Sequence, residues 1–464
     1  MTVERQSPPP RPILGEALRL GVPAVMGMLS HWVLSIADEY MVSRLAIGAT
    51  PERGYRAIGN VHVASIYVLA LVITFNALAV GTQAVAARRW GEGRRDAASG
   101  VLRTALVMVL ALSALLTPLY IAFAGEMVRL FTGETPSIDR DIVTAYLEIR
   151  FWALPAMMAI YVLSGWFAGV GNTVIVMMTA LLVNAVNILL NWVLIEGRWG
   201  FPRLEERGAA LASTIGTHAG LAFMIAYALM SRRFRALNLL RRWRPEREVA
   251  GRILRLSAPS FLHYAAVHGG FMVFLAAIIP NTREGAVGVA ASAIVWVSTA
   301  LAFMIAFGFG NAAATLMGQS LGAGDPARAR HSVWVCAWVS LAATLPVTLT
   351  CALAGPWITS LFTQDPEVIR VSRWLFLIIA SFQLLDNFGI ILAEAFKGAG
   401  LNFFVMVVEV PLNLVLFLSL SWWWGVGLNW GVAGAWGAMI PYVLIFDAVM
   451  ITAFQRGVWR RGQA

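Results

Sequence analysis

The chain has 464 residues, of which 59% are hydrophobic and 13% are charged, and its formal net charge is +10. A soluble domain carries about 25% charged residues, so this composition excludes a chain built from water-soluble domains. The excess of arginine and lysine is typical of the cytoplasmic loops of a membrane protein, and we expect no nucleic-acid partner. Cys336 and Cys351 lie in one apolar run, about 22 Å apart if that run is helical, which argues against a disulfide.

Residues 1–12 are polar and rich in proline, which predicts a disordered N-terminal lead without a cleaved signal peptide. After this lead, apolar runs of about 20 residues or more follow one another, and each is long enough for a helix that crosses a bilayer. The sequence predicts an all-α chain with twelve membrane-spanning helices, at 15–43, 58–87, 98–123, 142–167, 174–196, 208–230, 252–279, 286–317, 331–354, 370–395, 402–424 and 432–454.

The charges of the loops predict how these helices are oriented. Arginines follow the second helix (88–95), the sixth helix (232–247) and the last helix (456–461), whereas acidic residues follow the third helix (126–141). The even-numbered connections and both termini are therefore expected in the cytoplasm. The first loop, which also carries arginines, is an exception to this pattern.

The two halves of the chain resemble each other. Residues 18–23 are echoed by 254–259, and 167–171 by 396–400, with an offset that drifts slowly as small loop insertions would make it do. Six helices per half is an even number, so both halves face the same way. This predicts two six-helix lobes related by a pseudo-two-fold along the membrane normal, with a cavity between them. The predicted parts are an N-lobe at 13–230, a basic cytoplasmic linker at 231–251, a C-lobe at 252–456 and a C-terminal tail at 457–464.

Ionisable residues at membrane depth are the candidates for chemistry, because each costs at least about 2.5 kcal/mol there and tends to face a cavity or a partner. The sequence has no phosphate-binding loop, no paired Cys/His metal spacing and no nucleophile elbow. We therefore expect neither an enzyme nor a cofactor other than a coupling ion.

The first helix carries Asp38, whose side chain shares one helical face with His31 and Ser35. Its carboxylate is predicted to bind a proton or Na⁺, and the alternative is an ion pair with Arg44 at the outer end of the helix. Glu39 is rotated by about 100° from Asp38 and is predicted to be an interfacial charge.

The fifth helix carries Asn187 and Asn191, one turn apart on one face. Together with Asp38 they could form an oxygen-rich cage for a hard cation. The alternative is hydrogen bonding between helices, which polar membrane residues provide for a modest gain. Ser213 and Thr214 of the sixth helix are candidate extra oxygens.

The tenth helix carries Asp386, with Gln383 and Asn387 on the same stripe. Asp386 is predicted to be a second ion site or a counter-charge for a cationic substrate. Glu394 and Lys397 lie three residues apart near the end of this helix, where a structural ion pair is the favoured interpretation.

The remaining candidates lie on the seventh, eleventh and twelfth helices. Glu409 precedes Pro411, which could open the backbone and line a cavity. His263 and His268 could titrate near neutral pH, and the alternative is that each packs as a hydrogen-bonded residue. Asp447 is expected to be peripheral.

From about residue 15 to 459, the chain resembles the bacterial MATE (multidrug and toxic compound extrusion) transporters. The segments that carry the resemblance are Pro23 with Asp38, 88–93, 169–172, 318–325, 383–386, 397–400 and 434–436. The resemblance implies a monomeric inner-membrane antiporter that expels organic, often cationic, compounds against an inward flow of Na⁺ or H⁺.

The resemblance also assigns roles to individual positions. Asp38 matches the coupling residue of the N-lobe in that family, and Asp386 matches the acidic residue of the tenth helix that one branch uses. The same branch usually has a glutamate where this chain has Val267, and another branch has an aspartate where this chain has Asn191. The pattern of one carboxylate per lobe therefore leaves the coupling ion open.

Two other functions remain as alternatives. A lipid-linked precursor flippase of the same superfamily would have a strongly cationic cavity, and this chain shows few Lys or Arg residues at membrane depth. A non-transporting membrane scaffold would have no need of the internal repeat. The sequence therefore favours a cation-coupled exporter.

Overall fold

A computed structural model describes residues 12–43, 51–132, 139–231, 234 and 245–461. In these ranges the regular elements are all helical. The all-α prediction is therefore confirmed, and it has a physical basis, because a helix satisfies its backbone hydrogen bonds within one segment when no water is present.

The described part of the N-terminal half forms seven helices. They are α1 (Ile13–Ser43), α2 (Pro51–Gly91), α3 (Arg95–Thr132), α4 (Arg140–Phe151), α5 (Leu154–Gly169), α6 (Thr173–Leu194) and α7 (Glu205–Met230). Helices α4 and α5 occupy the span predicted as one uninterrupted helix at 142–167, but their axes differ by 52°. Pro155 in the first turn of α5 accounts for the break, because it has no N–H to bond back into α4.

The described part of the C-terminal half forms eight helices. They are α8 (Arg247–Val273), α9 (Ala286–Gly322), α10 (Pro326–Ser360), α11 (Pro366–Gly398), α12 (Asn402–Pro411), α13 (Leu418–Trp422), α14 (Gly431–Gly437) and α15 (Met439–Gln455). Helix α8 continues into a π-helical turn at Phe274–Ile278, and a second π-helical turn at Leu412–Phe417 joins α12 to α13. Because α8 begins at Arg247, the last residues of the predicted linker are helical.

The helices account for the predicted membrane spans. Ten helical spans in the described ranges are long and apolar enough to cross a membrane, and the bent pair of α4 and α5 is an eleventh candidate. Helix α2 has 41 residues and contains the apolar run predicted at 58–87. Each of the twelve predicted apolar runs thus lies in helical structure, and ten or eleven of them are candidate membrane spans.

The clusters of buried apolar side chains belong to one half of the chain or the other, except that α1 and α8 each pack into a core of the opposite half. The largest cluster of buried apolar side chains belongs to the N-terminal half, and two others belong to the C-terminal half. Leu20 of α1, however, packs in a core of the C-terminal half, and Leu256 of α8 packs in the core of the N-terminal half. Leu20 and Leu256 are equivalent positions of the sequence repeat, so the exchange fits two lobes related by a pseudo-two-fold.

The lobes touch at the end of the bundle that carries the α2–α3 and α9–α10 loops, which we call the basic end. A Cβ atom added to Gly308 of α9 would lie 2.9 Å from the backbone nitrogen of Val25 in α1. A Cβ atom on Gly318 would lie 2.8 Å from Cβ of Ala87 in α2. Only glycine allows α9 to come this close to the other lobe, and the basic end is therefore closed.

Candidate functional site

Helices α1 and α6 of the N-lobe lie side by side and run in the same direction. Two hydrogen bonds join residues that are 154 positions apart, from Thr173 to the carbonyl of Arg19 and from Asn184 to the carbonyl of Ser30. The constant offset shows that the two helices are in register. Position 38 of α1 is consequently level with position 192 of α6, next to Asn191.

The side chains of His31, Ser35 and Asp38 lie outside the described part of the structure. Their backbone belongs to α1, as the sequence predicted. The expected Na⁺ or proton site at Asp38 stays a prediction. It is supported by the register of the two helices, which places position 38 of α1 beside Asn191 of α6.

The asparagines of α6 form a ladder of buried hydrogen bonds. Asn191 donates from Nδ2 to Oδ1 of Asn187 at 2.8 Å, and Asn187 donates from Nδ2 to Oγ of Ser213 in α7 at 2.7 Å. Thr214 does not join them, because its hydroxyl donates to the carbonyl of Ile149 at 3.1 Å. The structure thus brings three of the predicted N-lobe residues together and places Thr214 against α4.

In the C-lobe, the carboxyl group of Glu409 contacts side chains of two other helices. Nε2 of His263 in α8 lies 2.6 Å from Oε2 of Glu409 in α12. The hydroxyl of Tyr442 in α15 donates to Oε1 of Glu409 at 3.4 Å. His263 is buried, with 4% of its surface exposed. The sequence indicates His263 and Glu409 as separate candidates and carries no signal that they pair.

A second polar group lies beside this pair. Nζ of Lys397 lies 2.7 Å from Oε1 of Glu394, which confirms the predicted ion pair. The same ammonium group lies 3.4 Å from the hydroxyl of Tyr264 and 4.7 Å from the centroid of its ring. His268 is turned back to its own helix, where Nδ1 lies 2.9 Å from the carbonyl of Tyr264.

Gln383, Asp386 and Asn387, which were predicted to share one face of α11, lie in different environments. Asn387 is buried against α10, where its Oδ1 accepts a hydrogen bond of 2.6 Å from Ser340. Asp386 is only partly buried and lies within electrostatic reach of Glu409. Nε2 of Gln383 is buried and has no hydrogen-bond partner among the residues that the structure describes. Asp386 therefore belongs with Glu409, whereas Asn387 serves helix packing.

Asp447 of α15 is buried, and the expectation that it is peripheral is wrong. Only 5% of its surface is exposed, and within the described ranges neither carboxyl oxygen has a hydrogen-bond partner. It packs directly on Gly389 of α11, one turn from Asp386. Its position in an apolar run was visible in the sequence, but the face of α15 that turns inward was not.

Neither lobe shows a preformed metal cluster in its described residues. There, no group of three or more His, Cys, Asp or Glu side chains could hold a metal ion. Cys336 and Cys351 are buried and free, as predicted.

The fold and the polar groups inside both lobes define a two-lobed membrane transporter. A family model described as MatE matches residues 23–193 and 259–423, one segment in each lobe. These segments cover most of the chain, so the chain belongs to the MATE family of transporters. The family membership predicted from the sequence is confirmed.

Relatives from several bacteria match along nearly the whole chain. The "Probable multidrug resistance protein NorM" of Brucella suis is 26% identical over 463 residues, which cover 96% of this chain and 92% of the relative. The protein of the same name from Thermotoga maritima is 23% identical over 455 residues, with 96% and 93% covered.

Solved structures of the family share the fold. A structure described as an outward-facing conformation of a multidrug resistance MATE family transporter of the MOP superfamily superposes with a TM-score of 0.85. It is 21% identical in sequence, and 96% of each chain is covered. A MOP superfamily transporter from Pyrococcus furiosus, described as having a binding pocket of reverse polarity, gives the same TM-score, identity and coverage.

Proposed function

We propose that this chain is a cation-coupled antiporter that exports organic, cationic compounds across the bacterial inner membrane by alternating access. Na⁺ or H⁺ flows inward as the substrate leaves. The multidrug resistance names of the bacterial relatives support an organic substrate. In this proposal the protein works as a monomer in the bilayer, with both termini in the cytoplasm.

The observation that carries this proposal is the excess of carboxyl groups inside the C-lobe. Asp386, Glu409 and Asp447 lie on three helices that pack together, whereas Lys397 is already paired with Glu394. A carboxylate at membrane depth is costly unless a proton or a cation neutralises it. The C-lobe is therefore suited to a positively charged occupant, and Asp386 serves as its counter-charge or as a second ion site.

The N-lobe supplies the first coupling site in this proposal. Asp38 binds Na⁺ or a proton, and the ladder of Asn187, Asn191 and Ser213 provides amide and hydroxyl oxygens at the same level of the lobe. Such oxygens are the ligands that hard cations prefer. Binding shifts the two lobes only to the extent that the ion prefers one arrangement over the other.

The carboxyl groups inside the C-lobe also argue against the two alternative functions, a lipid-linked precursor flippase and a membrane scaffold. A lipid-linked precursor carries phosphate, and the carboxyl groups of the C-lobe would repel it. A scaffold would gain nothing from uncompensated carboxyl groups at membrane depth, which cost stability.

The proposal is tested with purified protein in proteoliposomes and a fluorescent organic cation. A Na⁺ gradient and a pH gradient are imposed in turn, and the gradient that drives transport names the ion. We expect Asp38→Asn and Asp386→Asn to lose about tenfold or more of the rate while still folding. Glu367→Gln is the control, because Glu367 lies exposed at the start of α11, outside the lobe interior. A wild-type protein that transports under neither gradient would refute the proposal.

A further inference from the structure

The loop that joins α2 to α3 is strongly basic and lies at the border of the membrane. Residues 88–96 contain four arginines against the two carboxylates of Glu92 and Asp96, which leaves a net charge of +2. The apolar run of α2 ends directly before this loop, and the candidate membrane span of α3 begins at Arg95. The arginines therefore lie at the level of the lipid headgroups.

A single carboxylate in this loop is shared between arginines. Oε2 of Glu92 lies 3.1 Å from Nη1 of Arg89 and 3.5 Å from Nη1 of Arg94, whose side chain is 61% exposed. Arg95 has no ion pair among the described residues, and its Cζ lies 5.6 Å from the ring centroid of Trp90. Each guanidinium group has five N–H donors, so donors remain for a second anion.

The equivalent loop of the C-lobe shows that the turn itself does not require arginine. Residues 319–327 join α9 to α10 and contain no arginine. The glycine of the turn is kept, since Gly93 and Gly324 both adopt a left-handed backbone with φ of +73° and +72°. Where the N-lobe has Arg94, the C-lobe has Asp325, whose side chain caps the N-terminus of α10. The arginines thus serve something other than the turn.

Arg94 and Arg95 flank the N-terminus of α3, where positive charge is unfavourable. The N-terminus of a helix carries a partial positive charge, which favours anions and disfavours cations. The cap that Asp325 provides in the C-lobe follows this rule, and the two arginines of the N-lobe go against it. A bound anion removes this repulsion and pairs with the arginines at the same time.

The arginine loop also lies where the two lobes meet. A Cβ atom on Gly91 would collide with the backbone carbonyl of Gln319, and one on Gly322 would collide with the carbonyl of Arg88. These contacts between the lobes are made by glycine and by backbone atoms, and they do not involve a guanidinium group. An anion held by the loop therefore lies beside the closed basic end.

We propose that Arg89, Arg94 and Arg95 bind the phosphate group of an anionic phospholipid in the leaflet that borders the basic end. Guanidinium groups suit this ligand, because their planar N–H donors match phosphate oxygens in pairs. A lipid is favoured over free phosphate because the loop lies at headgroup level, where the acyl chains run along the apolar surface of the bundle. The proposal concerns lipid binding and is independent of the antiport proposed above.

The test uses purified full-length protein in detergent, titrated with phosphatidylglycerol or phosphatidylcholine of the same chain length. Native mass spectrometry measures the affinity for the first bound lipid. Phosphatidylglycerol is anionic, whereas phosphatidylcholine carries no net charge. We expect wild-type protein to bind phosphatidylglycerol about tenfold more tightly, and we expect Arg94→Gln/Arg95→Gln to lose this preference.

Two further variants are the controls. Arg252→Gln/Arg330→Gln removes two arginines at the basic end outside the loop, near the starts of α8 and α10, and should keep the preference. Arg94→Lys/Arg95→Lys keeps the charge and should retain most of the preference. This second variant also keeps the proposal testable if the glutamine variant does not fold.

Three results would overturn the proposal. The first is equal affinity of wild-type protein for the two lipids. The second is an equal loss of preference in Arg94→Gln/Arg95→Gln and in Arg252→Gln/Arg330→Gln, because any charge at the basic end would then attract the lipid. The third is displacement of bound phosphatidylglycerol by an excess of inorganic phosphate, which would make free phosphate the ligand.

Discussion

Gln83 of α2 and Thr315 of α9 connect the two lobes through a hydrogen bond of 3.0 Å from Nε2 to Oγ1. The same Nε2 lies 3.1 Å from the backbone oxygen and from Oδ1 of Asn311. Gln83 and Thr315 are both buried at the basic end. Because the two helices belong to different lobes, these bonds exist only while the basic end is closed.

Gln83→Leu is therefore expected to favour opening of the basic end. The substitution removes the bonds that Gln83 makes between the lobes, while Thr315 keeps its own bonds to the carbonyls of Ala168 in the N-lobe and Asn311 in the C-lobe. A loss of about 1–1.5 kcal/mol is typical for such a bond and corresponds to roughly a tenfold shift of population. Spin labels at Arg94 and Arg330, one on each lobe, measure the change as a longer distance in pulsed EPR.

The control for this experiment is Gln364→Leu. Gln364 is exposed and donates to the carbonyl of Ser360, one turn back at the opposite end of the bundle. Both native cysteines are buried, which limits labelling to the introduced sites. Identical distance distributions for Gln83→Leu and Gln364→Leu would show that the bond does not hold the lobes together.

The variant Asn187→Ala tests whether the asparagine ladder of α6 takes part in ion coupling or only stabilises the fold. Asn187 accepts from Asn191 and donates to Ser213, so its truncation breaks both bonds. In membrane proteins such bonds contribute about 0.6 kcal/mol each on average, so the thermal stability falls only slightly. Transport should fall about tenfold or more if the ladder belongs to the coupling site. Thr217→Ala, which removes a bond of 2.8 Å within α7, is the matched control. Equal transport by the two variants would make the ladder purely structural.

Asp447→Asn is expected to stabilise the protein. Among described residues neither carboxyl oxygen of Asp447 has a hydrogen-bond partner, and Asp386 lies close enough to repel its charged form. Replacing a buried and uncompensated carboxyl group by a neutral one of the same shape removes this cost. The unfolding temperature in detergent at pH 8 should rise by a few degrees. A lower unfolding temperature would mean that the carboxyl group has a partner that stabilises the folded state.

The stability of the protein is expected to depend on pH through Glu284, which lies between two membrane spans. Burial raises its pKa, but hydrogen bonds from Arg283 at 2.9 Å and from the backbone N–H of Val432 at 2.8 Å outweigh it. The pKa of Glu284 in the folded protein is consequently below its ordinary value of 4.5. The stabilisation is therefore present above that value and is lost as the pH falls through the folded-state pKa.

The variant Glu284→Gln is expected to lower the free energy of unfolding by about 1 kcal/mol at pH 7. The difference from the wild type should shrink as the medium is acidified below pH 4.5, and it should be lost below the folded-state pKa, where the carboxyl group is protonated in both states. Thermal unfolding at a series of pH values measures it. Glu248→Gln serves as the control, because Glu248 is 74% exposed beside Arg252. A deficit that stays constant down to the lowest pH would contradict the assignment.

The spans and the lobes could be predicted because their signals are local or periodic. An apolar run of sufficient length can form few structures in lipid, and the repeat relates Leu20 to Leu256 by sequence alone. The bend between α4 and α5 was missed because Pro155 lies inside an apolar run, where a proline is compatible with a straight span or a broken one.

The candidate site was less predictable than the fold. His263 and Glu409 are 146 residues apart, and only the packing of α8 on α12 makes them partners. Asp447 shows the same limit, because an apolar helix such as α15 gives no pattern that distinguishes its inner face from its lipid face. Intrahelical neighbours such as Glu394 and Lys397 were predicted correctly, since their contact depends on helical spacing alone.

In the proposed antiport, the movement of substrate is coupled to the movement of Na⁺ or H⁺, and one transport measurement tests this coupling directly. Proteoliposomes are loaded with an organic cation and diluted into substrate-free buffer, with no gradient of Na⁺ or H⁺. Dyes inside the vesicles report both ions. We expect substrate leaving down its gradient to drive H⁺ or Na⁺ into the vesicles, and we expect Asp386→Asn to lose this counterflow. Substrate that leaves wild-type vesicles without movement of either ion would contradict it.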